Sequence, residues 1–88
     1  MNKKSDIGLI GLAVMGENLA LNMERNGFQV SVYNRAEGAE SGVVEHFMAG
    51  RGAGKHFLGF TYLEAFVASI ERPRKIMMMI HTGRLLLL

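Results

Sequence analysis

The chain contains no cysteine, which excludes disulfides and thiolate metal sites and suits a reducing compartment. Charge of one sign is also scarce. The formal net charge is +2, and no basic stripe with interleaved aromatics appears, so nucleic acid is not expected as a main partner. His46, His56 and His81 are scattered without ligand spacing, and no metal site is expected. No run approaches the roughly 18 apolar residues of a membrane span. Lys3 and Lys4 precede an apolar stretch, as in a signal peptide, but Asp6, Gly8 and Gly11 interrupt it and it runs into Glu17 without a cleavage site. These absences lead to the expectation of a cytoplasmic protein with no membrane partner. The sequence has 88 residues, one small domain at most, and shows neither repeats nor a linker.

What is present is concentrated near the start. IGLIGLAVMG (Ile7 to Gly16) is a short apolar run that breaks into a glycine-containing turn, with a helical pattern following at once. Such a strand–turn–helix opens a dinucleotide-binding βαβ unit, here in the variant G-x-A-x-x-G. Gly11 permits the tight turn, Ala13 is small enough for a pyrophosphate to approach the backbone, and Gly16 lets the helix pack closely on the sheet. The helix starting near Val14 offers unpaired N–H groups and its positive dipole end to phosphates. Residues Gly11, Leu12, Ala13, Val14, Met15 and Gly16 are therefore candidate cofactor-binding positions.

The end of the second strand selects the cofactor. In this fold an Asp or Glu there accepts a hydrogen bond from the ribose 2′-hydroxyl of NAD. Twenty-three residues after Gly11 stands Asn34, followed by Arg35. No carboxylate occupies this strand end. Asn34 can hydrogen-bond the sugar and the guanidinium of Arg35 can bind a 2′-phosphate, so NADP is favoured over NAD.

The remaining chain continues the alternation. Ile7 to Ile10 reads as a buried parallel strand. Leu12, Met15, Leu19 and Met23, with Ala20, form a helical stripe that ends at Asn26-Gly27. Gln29 to Tyr33 is the second strand. Val43, Val44, Phe47 and Met48 mark a second helix ended by Gly50, and Phe57 to Phe60 a third strand. Thr61 and Glu64 form a capping box opening a third helix with the stripe Leu63, Phe66, Val67 and Ile70. Pro73 follows, and Ile76 to Ile80 is the fourth strand. The fold class is α/β, the truncated first half of a Rossmann-type doubly wound parallel sheet, β-α-β-α-β-α-β. Right-handed crossovers give the strand order 3-2-1-4. With no fifth parallel strand, Ile76 to Ile80 is expected to present an unpaired apolar edge, worsened by the tail Leu85 to Leu88, through which the chain self-associates.

GLAVMG, the following ENLALNMERNGF (Glu17 to Phe28), VSVYNR (Val30 to Arg35) and PRKIMMMI (Pro73 to Ile80) together resemble the N-terminus of decarboxylating 6-phosphogluconate dehydrogenase. The resemblance runs from about Ser5 to Gly83. The related 3-hydroxyisobutyrate dehydrogenases share the G-x-x-x-M-G turn but fit the following residues less well.

The resemblance implies oxidation of 6-phosphogluconate at C3 with hydride transfer to NADP, then decarboxylation to ribulose 5-phosphate, a reaction of the pentose phosphate pathway. It also implies that Ala36, beside Asn34 and Arg35, and Ile80, His81 and Thr82, at the end of the fourth strand, lie along the cofactor. Two departures bear on affinity. The family has Thr or Ser where Ala36 stands and a nearby Lys, whereas this chain has Glu37 and Glu40, so weaker NADP binding is expected. Val-Lys-Ala-Gly of the family is replaced by Ile80, His81, Thr82 and Gly83. The family's Lys and Glu acid–base pair, its Ser-Gly-Gly loop and its His-Asn pair match nothing in this sequence, and no catalytic residue is assigned.

GRGAGKH (Gly50 to His56) has one residue too few between its glycines for a phosphate-binding P-loop, His56 in place of the hydroxyl, and a helix before it; it reads as a connecting loop. Met77, Met78 and Met79 read as buried strand residues and not as soft-metal ligands. The expectation is a partial NADP-binding domain over residues 1–88, without a substrate domain and inactive alone. The alternatives are a stand-alone nucleotide-binding module, the NADP-binding part of a 3-hydroxyisobutyrate dehydrogenase-like enzyme, and a degenerate product without a ligand. The ending Arg84 to Leu88 reads as truncated or frameshifted and favours the first reading.

Overall fold

The computed structural model describes residues 3–79 and 85–87. Strands β1 (Ile7–Ile10), β2 (Val30–Tyr33), β3 (Phe57–Phe60), β4 (Ile76–Met79) and β5 (Leu85–Leu87) form one sheet in the order β3-β2-β1-β4-β5. The first four are parallel, as the 3-2-1-4 expectation requires. Helices α1 (Val14–Arg25), α2 (Val43–Ala49) and α3 (Leu63–Ala68) make the crossovers, with a short 3₁₀ turn at Gly38–Glu40.

Side-chain alternation divides the sheet into two apolar faces. Leu9, Val30 and Val32 are completely buried and belong to one core cluster with Ala20 and Leu21 of α1 and Val44 and Phe47 of α2. On the other face, Phe66 and Ile70 are equally inaccessible. Phe66 packs against Tyr33 at 5.7 Å and Phe60 at 6.3 Å between ring centroids. A methyl group on Gly8 would sit 2.4 Å from Ile70 Cδ1 and 2.6 Å from Phe66 Cζ, so the bare backbone of β1 is what admits this aromatic layer.

This second face also holds three hydroxyls, with Ser5 and Ser31 buried and Ser69 half-buried. Ser31 in β2 is within 2.7 Å of Ser5 Oγ and 2.6 Å of Ser69 Oγ, and Ser69 donates to the carbonyl of Phe66 at 2.6 Å. Ser5 N–H donates to Ser69 O and Glu71 N–H to Ser5 O, each at 2.8 Å, which ties the end of α3 to the start of the chain. The cost of burying these polar groups is met by mutual hydrogen bonds.

Three expectations are corrected. β4 is not the sheet edge: β5 returns antiparallel along it, pairing Met77 with Leu87, Met78 with Leu86 and Met79 with Leu85. The fourth strand's last expected residue, Ile80, lies outside the described residues. The Thr61–Glu64 capping box does not form; Tyr62 is the N-cap of α3 and no side chain caps it. In α1, Met15 is 59% exposed and not part of the inward stripe. Gly16, Ala20 and Leu21 are the buried positions, with Leu19 and Met23 partly buried against the core. The reason is that Gly16 faces the sheet, and one residue along a helix rotates a side chain by about 100°, which turns Met15 away from it.

Candidate functional site

The site forms where the C-terminal ends of β1 and β2 meet the start of α1. Gly11 leaves β1 with φ of +103°, the left-handed region that favours glycine. Its N–H donates to Tyr33 O at 2.9 Å, and a Cβ there would lie 2.8 Å from the Met79 carbonyl oxygen. A Cβ on Gly16 would sit only 1.8 Å from the carbonyl oxygen of Gly11. The first turn of α1 is thus held directly on the loop that precedes it, and both glycines have the close-approach roles expected from their spacing.

This packing leaves the helix start open. Ala13 is the N-cap and no side chain hydrogen-bonds back to the first turn. The first intrahelical bond runs from Glu17 N–H to Ala13 O at 2.8 Å, so the first-turn amides of Val14, Met15 and Gly16 are available to a ligand. Ala13, Val14 and Met15 are exposed here, Val14 by 73%. Exposed apolar side chains beside uncapped amides fit a ligand with both phosphate and flat apolar parts.

Asn34, at the end of β2, is 6% exposed. Its Oδ1 accepts the N–H of Leu12 at 2.8 Å, while Nδ2 donates to Arg35 O at 3.0 Å and to Glu40 Oε1 at 2.9 Å. Its amide therefore fastens the glycine turn to β2, a role the sequence reading, which gave it to the sugar, did not foresee. Arg35 is exposed and ion-paired through Nε with Glu40 Oε2. Hydrogen bonding to that carboxylate holds the guanidinium still more firmly protonated than usual.

These elements enclose a cleft of about 680 Å³, lined by residues 11–16, Asn34, Arg35, Glu40, Val43 and Met79. All six turn positions expected from the sequence, and both Asn34 and Arg35, are brought together. Ala36 is exposed but does not line the cleft. Ile80, His81 and Thr82 lie outside the described residues. Glu40, Val43 and Met79 were missed as lining residues. Val43 and Met79 were legible only as core, and Glu40 only as a charge near Arg35.

The Gly50 to His56 segment is the link between α2 and β3. Arg51 pins it to the outer side of α1 through Glu17 at 2.9 Å and Asn18 at 2.8 Å. Among the described residues no helix is long and apolar enough to cross a membrane.

A parallel crossover sheet, with an uncapped helix start above the strands' C-terminal ends, defines a dinucleotide-binding α/β domain. The chain belongs to the family described as the NAD binding domain of 6-phosphogluconate dehydrogenase, whose model matches residues 6–86. It is 55% identical over 80 residues to "6-phosphogluconate dehydrogenase, decarboxylating" of Dictyostelium discoideum, an alignment covering 91% of this chain and 15% of that protein. The enzyme of the same name from Synechococcus elongatus is 60% identical over 76 residues, covering 86% of this chain and 15% of the relative. "6-Phosphogluconate dehydrogenase, decarboxylating 1" of Saccharomyces cerevisiae is 46% identical over 79 residues, covering 90% and 15%. The chain thus spans about 15% of the length of these relatives, and the resemblance read from its motifs is borne out.

Proposed function

We propose that this chain is the NADP-binding portion of a decarboxylating 6-phosphogluconate dehydrogenase. The observation that carries the reading is that Arg35 and the uncapped start of α1 line one cleft. The α1 amides bind the pyrophosphate, which the small Ala13 lets approach the backbone, while Gly11 and Gly16 keep the turn packed against the start of the helix. Arg35 takes the 2′-phosphate through charge-assisted hydrogen bonds. Asn34 holds the turn in register with β2 and so fixes the distance between the two phosphate sites. Val14 and Met15 cover the ligand and exclude water. When bound, the nicotinamide ring supplies a hydride acceptor for oxidation of the sugar acid.

No residue of this chain is given a role on the sugar acid, and 88 residues alone are expected to produce no NADPH from 6-phosphogluconate. The reading also includes a cytoplasmic location and self-association through the open edges of the sheet. Calorimetric titration with NADP and NAD tests the cofactor assignment. NADP is expected to bind more tightly than NAD, with the charged hydrogen bond of Arg35 contributing roughly ten- to a hundredfold, and Arg35→Ala to remove most of the preference. Equal affinities in the parent chain would overturn it.

A further inference from the structure

Glu40 ends the 3₁₀ turn Gly38–Glu40, five residues beyond Arg35, and faces the same cleft. Its two carboxylate oxygens are divided between the two residues at the end of β2: Oε1 accepts from Asn34 Nδ2 at 2.9 Å, and Oε2 pairs with Arg35 Nε. The turn presenting it is held by Glu40 N–H to Glu37 O at 3.0 Å and Ser41 N–H to Gly38 O at 3.1 Å. The carboxylate is therefore presented to the cleft by an ordered backbone and fixed on both neighbours.

We propose that Glu40 is a specificity-determining residue that opposes the 2′-phosphate: its carboxylate, clamped on Asn34 and Arg35, accepts an adenosine 2′-hydroxyl and penalises a phosphate in its place. The inference rests on the dinucleotide reading of the cleft. A phosphate engaging the Arg35 guanidinium must share that cation with Glu40 and come within a few ångströms of a like charge. The 2′-hydroxyl of NAD has no charge to repel and offers an O–H to the carboxylate. Arg35 and Glu40 thus act in opposite directions on one discrimination, and the preference for NADP is smaller than Arg35 alone would give.

The test is calorimetric titration of the 88-residue chain and its Glu40→Gln and Glu40→Ala variants with NADP and with NAD at low and moderate salt. Glu40→Gln keeps a side-chain oxygen for Asn34 and removes the charge. The expected result is an NADP-to-NAD affinity ratio raised by roughly tenfold in both variants, with the gain shrinking as salt screens the repulsion. Weaker NAD binding in Glu40→Ala, with NADP binding retained, would mark the lost 2′-hydroxyl contact. A ratio unchanged or lowered in both variants, with dinucleotide still binding, overturns the role of Glu40 and leaves the proposed function standing. Absence of any dinucleotide binding to parent and variants overturns both. Loss of the folded circular dichroism signal in both variants would make Glu40 a structural residue and also overturn the inference.

Discussion

The buried carboxamide of Asn34 accepts the backbone N–H of Leu12 at 2.8 Å, across 22 positions of sequence. One side chain at the end of β2 thereby satisfies the amide that leaves the Gly11 turn, and the glycine loop cannot shift without breaking this bond. Replacing Asn34 by Ala is expected to lower stability by about 1–3 kcal/mol, the cost of leaving a buried donor unpaired. Dinucleotide affinity is expected to fall with it. Urea unfolding of parent and variant checks the first effect, and an unchanged midpoint would contradict it.

The Gly16 contact sets a harder limit. Because a Cβ there would lie 1.8 Å from the Gly11 carbonyl, even Gly16→Ala must move the helix or the turn. A cost of about 1–3 kcal/mol is expected from overpacking, and the upper end is favoured because backbone must yield. Gly16→Leu is expected to abolish NADP binding. Ala13→Glu should do so as well, by placing bulk and negative charge at the exposed N-cap. Circular dichroism must show the fold intact, and undiminished binding by either variant would place the phosphates elsewhere.

The strand order and the turn were legible because their signals are local. Apolar runs bounded by glycine, and a helix pattern beginning within four residues of a strand, leave few arrangements once right-handed crossovers are required. The third strand and the second helix followed in the same way. What was not legible depends on the tertiary path. Leu85–Leu87 carries no alternation or turn residue to indicate an antiparallel return along β4. Ser5, Ser31 and Ser69 are separated by 26 and 38 positions and become a network only when the sheet and α3 converge. The link from Asn34 to Leu12 is of the same kind. Asparagine at that position was visible as a candidate ligand, whereas its bond to a backbone amide belongs to the folded turn.

The return strand alters what is expected of the sheet edge. With β5 paired to β4, deletion of residues 85–88 would expose the ladder of Ile76–Met79. The shortened chain is expected to scatter more light and to elute as larger species than the full 88-residue chain, because an uncovered apolar strand recruits others. Equal scattering from the two would show that β5 does not protect this edge.

Asp6 introduces a dependence on acid. Its Oδ2 accepts the Gln29 N–H at 2.8 Å and pairs with Lys3 at 3.5 Å. The backbone hydrogen bond, and after it the Lys3 charge, hold its carboxyl below the ordinary value of 3.8 despite some desolvation. A lowered folded-state value means that the stabilisation is fully present above pH 3.8 and is lost as pH falls through that lowered value. The melting temperature of the parent should therefore exceed that of Asp6→Ala at neutral pH. The gap should close as the solution is acidified below 3.8. A gap independent of pH would contradict the assignment.

The most direct test of where the dinucleotide binds is a titration of the isotope-labelled chain with NADP, followed by amide nuclear magnetic resonance. Binding at the uncapped start of α1 predicts that the largest shifts fall on the amides of Ala13, Val14, Met15 and Gly16, with a second group at Arg35 and Glu40. Titration with NAD should shift the first group and move Arg35 less. Shifts centred on the Gly50 to His56 loop, or none at saturating NADP in a folded chain, would contradict the account.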